Sequence, residues 1–244
     1  MASLLVALLA SAMPLAAAPA AKPLDLFDKN AGALSLPVQI VLLLTLMTVL
    51  PAVFMSVTPF LRITLVLHFL RQALGTQSAP SNQVLVGLSM FLTLLIMQPV
   101  LSEAYYKGWI PLEKGDVAAP KAWEEGSRPL KKFLLRFCRE KDIQLLVDIT
   151  KTPAPARAED VDIKILVPAY VLSELRTGFQ IGAVLFLPFL IIDLIVASVT
   201  LSIGMVQLPP VMLSAPFKIL LFVLADGWNL VVGALIRSFY QGGG

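Results

Sequence analysis

From residue 36 to residue 61 the chain carries no charged side chain, and two later stretches, residues 84–102 and 177–236, are almost as bare. A hydrocarbon core about 30 Å thick needs only about 20 apolar residues in helix. The first two stretches can each cross a bilayer once, and the last is long enough to cross twice. Composition agrees: 57% of residues are hydrophobic and 14% charged, against roughly 25% charged in a soluble domain. The expected fold class is an all-α integral membrane protein.

Prolines punctuate these runs. Pro51 and Pro59 interrupt the first, Pro99 closes the second, and Pro209 and Pro210 divide the third. Each removes a backbone donor and bends the helix, which a membrane tolerates only where neighbouring protein satisfies the freed carbonyls. The pattern predicts two Pro-broken helical hairpins, residues 36–102 and 177–240, packed in protein. The first turns at a breaker-rich stretch containing Pro80, Asn82 and Gln83; the second turns at Pro209-Pro210. Arg62 and Arg71 flank the first turn with no acidic residue nearby, which places that turn in the cytoplasm by the positive-inside rule.

Residues 1–21 are apolar and alanine-rich, and Ala18-Pro19-Ala20 offers a small-x-small cleavage site, so a signal peptide is expected there although no Lys or Arg precedes it. Residues 22–35 then begin outside the cytoplasm. Residues 103–176 differ in kind, with thirteen Lys or Arg and twelve Asp or Glu. They read as a soluble, external (periplasmic) helical segment, too long for the loop charge rule to oppose that side. Within it Leu130, Phe133, Leu134, Phe137 and Cys138 recur at helical spacing, with Lys131, Lys132, Arg136 and Arg139 off the stripe. That is an amphipathic helix whose default role is to pack on a neighbour. Thr152-Pro153-Ala154-Pro155-Ala156 reads as a stiff linker, and residues 241–244 as a short tail.

The net charge of +3 is small and forms no basic stripe with interleaved aromatics, which argues against nucleic acid. No Walker-type Gly-x4-Gly-Lys, no Gly-x-Ser-x-Gly and no His-Glu-x-x-His occurs. The expectation is a protein that is not an enzyme and carries no cofactor or metal. His68 reads as a hydrogen-bonded structural histidine and Cys138 as a small buried hydrophobe. Charges within spans cost about 2.5–3.5 kcal/mol each on insertion scales, so they are candidates for function. Asp193 lies in the third span, with Lys218 and Asp226 in the fourth, where pairing across the hairpin would offset much of the cost. Glu174 and Arg176 stand at the mouth of the third span, solvated or paired between subunits.

Several blocks of sequence resemble the FliP family of flagellar type III export-gate proteins. In the first hairpin these are Pro59-Phe-Leu-Arg-Ile-Thr-Leu-Val-Leu, Leu70-Arg-Gln-Ala-Leu-Gly and Pro80-Ser-Asn-Gln. In the second they are Ser173-Glu-Leu-Arg-Thr-Gly-Phe-Gln-Ile-Gly, Phe189-Leu-Ile-Ile-Asp-Leu-Ile-Val-Ala-Ser, Leu208-Pro-Pro and Pro216-Phe-Lys-Ile-Leu-Leu-Phe-Val-Leu-Ala-Asp-Gly-Trp. The likeness spans about residues 36–240 and is weakest over 109–162. It implies a pentameric ring of this chain with FliQ and FliR subunits, contact with FlhB and FlhA, passage of unfolded flagellar proteins, and residence in the inner membrane at the flagellar basal body. It also implies hairpins lifted largely out of the bilayer plane, so that the apolar segments need not be conventional crossings.

The same resemblance implies a methionine cluster ahead of the Pro-Pro, where flexible thioethers seal a pore and then yield. Here that stretch is Met205-Val206-Gln207, with only Met205 kept, and these three residues are the expected constriction. Two alternatives share some of these features. The homologous gate subunit of an injectisome carries most of the same blocks. A small secondary transporter also uses broken helices and buried charges, but it would show an inverted repeat and a polar midplane site, neither of which is legible.

Overall fold

A computed structural model of the chain describes residues 36–76, 78–153, 157–204 and 209–241. The expected signal peptide (1–21), the segment 22–35, the centre of the linker (154–156), the expected constriction Met205, Val206 and Gln207, and the final three glycines lie outside the described residues. The chain falls into two units, Met1–Val49 and Leu50–Gly244.

Helix α1 (Leu36–Val57) starts in the first unit. Its residues 37–49 are Leu-, Val- and Ile-rich, with Val41, Leu44 and Met47 well exposed. The Thr45 hydroxyl donates to the Val41 carbonyl at 2.8 Å and that of Thr48 to the Thr45 carbonyl at 2.9 Å. No polar side-chain hydrogen is left over from these threonines, which suits an apolar surrounding.

In the second unit α1 ends at Val57, because Pro59 has no N–H to offer the Met55 carbonyl. Helix α2 (Phe60–Ala73) follows. It is the centre of the core: Ile63, Val66, Leu67 and Leu70 have no exposed surface. After a turn with Gly75 at φ +75°, α3 (Asn82–Ala104) returns, running through a π turn (Tyr105–Trp109) into the short α4 (Ile110–Glu113). Helices α5 (Ala119–Phe137) and α6 (Glu140–Thr150) come next, and a single 3-10 turn (Ala158–Asp160) leads to α7 (Ile163–Ser202), α8 (Pro210–Leu224) and α9 (Gly227–Gln241). No strand occurs among the described residues. Three helices are long and apolar enough to span a membrane, or four if the α8–α9 pair, bent by 66°, counts as one span.

The expected soluble segment does not end where its charges end. Helix α7 is continuous for 40 residues, capped by the Asp162 side chain on Lys164 N at 2.9 Å, and it passes through Arg176 without a break. Its length is about 60 Å, twice what a bilayer needs. Its first half packs on α2 in parallel, as Leu65 meets Gly178 and Phe69 meets Gly182; a Cβ on Gly182 would lie 2.3 Å from the Phe69 ring. From Val184 onward its large apolar side chains are mostly exposed.

Helix α5 carries the expected amphipathic stripe, with Phe133 and Leu134 buried and Leu130, Phe137 and Cys138 half-buried against the core. It folds back along the far end of α3. Gly108 and Gly126 approach so closely that a Cβ on Gly108 would sit 2.7 Å from the Gly126 Cα. The far end of α3 is therefore sheathed by a helix whose other face carries Lys131, Lys132 and Arg136, and it belongs with the polar part of the molecule.

Candidate functional site

Two ion pairs sit inside this apolar framework. The first joins α2 to α7. Pro59 starts α2 at a fixed position, which puts Arg62 in its first turn, and the parallel packing of α2 on α7 brings Glu174 opposite. Arg62 Nε donates to Glu174 Oε2 at 2.8 Å, and Arg62 Nη2 pairs with Glu174 Oε1. Both side chains are at most 5% exposed. The guanidinium also lies 4.1 Å from the centroid of the Phe239 ring and 5.5 Å from that of Phe137, and its Nη1 donates to Ser238 Oγ at 3.4 Å. Arg62 thus touches α2, α5, α7 and α9 at once. A bidentate Arg–carboxylate pair flanked by aromatic faces is the geometry in which a buried guanidinium is best satisfied.

Glu174 is therefore neither solvated nor aimed at a neighbouring subunit, because its partner is Arg62 of the same chain. Nor does Arg62 count as a charge of the first turn; it lies at the opposite end of α2, neutralised. Only Arg71 acts at the turn, donating from Nη1 to the Pro80 carbonyl at 3.3 Å and to Asn82 Oδ1 at 2.5 Å. Gln83 is exposed in the first turn of α3. Arg176 is exposed on α7.

The second pair joins α7 to α8. Lys218 Nζ lies 2.6 Å from Asp193 Oδ2, and Ser214 donates from Oγ to Asp193 Oδ1 at 2.5 Å. Pro209, with φ −61° and ψ 122°, and Pro210, in the first turn, start α8. That start sets the register in which Ser214 and Lys218, one turn apart, face Asp193. Lys218 is buried, while Asp193 is 28% exposed. Asp226 takes no part; it is exposed between α8 and α9 and accepts from Asn229 Nδ2 at 3.0 Å. Shallow apolar grooves flank Phe217 beside this pair, lined by Ile192, Leu220 and Leu224 on one side and Ile195, Val199 and Leu213 on the other.

Outside the apolar spans, the Ser173 hydroxyl donates to Asp142 Oδ2 at 2.6 Å and accepts from Arg139 N at 3.0 Å, tying the start of α6 to α7. Cys138 lies beside it, and burial, reinforced by the carboxylates of Asp142 and Glu174, pushes its thiol up to about 11. His68 Nδ1 is 2.8 Å from the Thr64 carbonyl, a local helical contact. No cluster of three or more His, Cys, Asp or Glu able to hold a metal occurs among the described residues.

Sequence reasoning missed the Arg62–Glu174 pair. The signal was there in part: each is a charge at the rim of an uncharged run, and Arg62 has no opposite charge nearby along the chain. What was missing was the parallel packing of α2 on α7, which rests on Gly178 and Gly182.

The model of the FliP family matches residues 43–235. Three relatives, each named flagellar biosynthetic protein FliP, show the extent of the likeness. The protein of Pectobacterium carotovorum subsp. carotovorum is 48% identical over 207 residues, covering 85% of this chain and 80% of its own. That of Bacillus subtilis strain 168 is 47% identical over 202 residues, 83% of this chain and 91% of its own. That of Caulobacter vibrioides is 42% identical over 243 residues, 99% of this chain and 91% of its own.

Proposed function

The chain belongs to the FliP family, and on that premise we propose that it is a core, pore-forming subunit of the flagellar type III protein export gate. In this reading it conducts unfolded flagellar proteins across the inner membrane at the basal body, and it is not an enzyme. Its partners are further copies of itself in a pentameric ring, the FliQ and FliR gate subunits, and FlhB and FlhA. The signal peptide (1–21), the two hairpins (36–102 and 177–240) and the external segment between them (103–176) keep their expected roles.

One observation carries the reading beyond family membership. The second half of α7 and most of α8 expose long apolar faces, Leu187, Ile191, Leu194 and Ile195 on one and Phe217, Leu220 and Leu224 on the other, while an ion pair from buried Lys218 to part-exposed Asp193 locks the two helices together. A rigid hairpin that is apolar outside and fastened inside suits a stave packed between other staves, since interhelical packing in apolar surroundings needs neighbours that fit. Asp193, part exposed, is available to such a neighbour.

Met205, Val206 and Gln207, which lie in sequence between α7 and α8, are assigned to the narrowest point of the pore. The test is their joint replacement by alanine in a secreting strain. Raised small-molecule leakage with altered export of hook and filament proteins is the expected result. Unchanged leakage and unchanged export would remove the constriction from this loop.

A further inference from the structure

Helix α9 is held at its two ends by different means. At its start it leaves α8 at 66°, and the break is essentially one residue. Asp226 has φ +51°, a left-handed conformation uncommon for a residue with a Cβ. It is kept there by a local bond, in which Asn229 Nδ2 donates to its carboxylate at 3.0 Å. Ala225, at φ −82° and ψ 3°, stands in the bridge region next to the right-handed helical well. Gly227 lies against the Phe222 ring, where a Cβ would come within 2.2 Å, so the ring can close over the bend only because that residue is glycine.

At its far end α9 is clasped. Ser238 and Phe239 meet the Arg62 guanidinium, and Arg136 Nη2 donates to the Tyr240 carbonyl at 3.0 Å. Between hinge and clasp runs one buried seam, Val231, Leu235 and Phe239, at four-residue spacing. Where the surroundings are apolar, exclusion of water does not hold such a seam down, so the polar clasp decides whether α9 stays docked. Arg62 divides its donors: Nε and Nη2 go to Glu174 and Nη1 to Ser238. The clasp can therefore open while the buried charge keeps its partner.

We propose that α9 is a hinged arm with two positions. In the docked position the Arg62 clasp holds it against α2 and α5. In the extended position Asp226 relaxes into the right-handed region, and α8 and α9 become one helix over residues 210–241, roughly 48 Å long. The seam then faces a neighbouring subunit or lipid. Nothing in this device requires that the chain line a pore, so it stands or falls separately from the export reading.

Spin labels at Lys132→Cys on α5 and Ala234→Cys on α9, both exposed positions, in a Cys138→Ser background test it on the full chain in lipid nanodiscs by pulsed electron resonance. The unaltered arm is expected to give a dominant short distance. Phe239→Ala, which weakens the clasp but leaves Arg62 and Glu174 in place, should raise the long-distance population several-fold, and adding Asp226→Gly, which eases the left-handed turn, should reverse that rise. Asp226→Ala alone, at an exposed site that leaves packing intact, should also lengthen the distance and serves if Phe239→Ala fails to fold. A single short distance that neither Asp226→Ala nor Phe239→Ala changes would show α9 to be a fixed part of the core.

Discussion

Burying Arg62 and Glu174 takes two charges out of water, and the bidentate pair with its aromatic neighbours offsets that penalty only while both members are present. Removing one leaves an uncompensated buried charge, which costs about 3–5 kcal/mol. Glu174→Ala is accordingly expected to lower the unfolding temperature in detergent sharply, whereas replacing both residues by methionine should recover most of it. Tyr170 is a contrasting case: its hydroxyl is buried and has no hydrogen-bond partner among the described residues. Tyr170→Phe should leave stability unchanged or raise it, because only an unmet polar group is lost. At Cys138 the thiol, raised to about 11 by burial, stays protonated at pH 8. The thiolate is the reactive form, so alkylation of the folded protein at that pH should run about a hundredfold slower than in denaturant; equal rates would mean that the thiol is not buried. In the sequence, the charges of both pairs were legible as candidates because each interrupts or borders an apolar run. Their partners were legible only for Asp193 and Lys218, which share one hairpin; Arg62 and Glu174 come from different hairpins and needed the fold.

Among the elements, the most extensive packing is between α2 and α7, where Gly178 and Gly182 receive Leu65 and Phe69. The Phe69 ring cannot easily retreat, since it stacks edge-on with Phe179 at 5.3 Å and Phe186 at 6.1 Å. Gly182→Val is expected to push the helices apart at a cost of about 1–3 kcal/mol, read as a lower unfolding temperature, with Gly182→Ala intermediate. Helix existence was well marked in the sequence: Pro59 ends α1, Pro209 and Pro210 begin α8, and the Leu130–Phe133–Leu134–Phe137 stripe lies on α5. The start of α7 was not. The expected boundary at Arg176 followed the change in charge density, but charge density is no helix signal, and between the Asp162 cap and Arg176 the sole breaker is Pro168, which the helix passes through. Pro168 and Pro188 lie inside α7, where the intact turns on either side of each proline carry the helix past the loss of a single backbone bond.

For the molecule as a whole, the apolar runs and the polar segment do not stack as membrane and exterior. Helix α5, with its lysines and arginines, lies along the end of α3, and the buried Arg62–Glu174 pair joins the rim of one apolar run to the rim of another. The lower half of α7 and α8 remains apolar and exposed, so a single copy in water leaves much of its surface unmatched. The most direct measurement is native mass spectrometry of the full chain after co-expression with FliQ and FliR and extraction in mild detergent. The account expects one discrete mixed assembly containing several copies of this chain. A chain that stays monomeric or dimeric and takes up neither partner would contradict it.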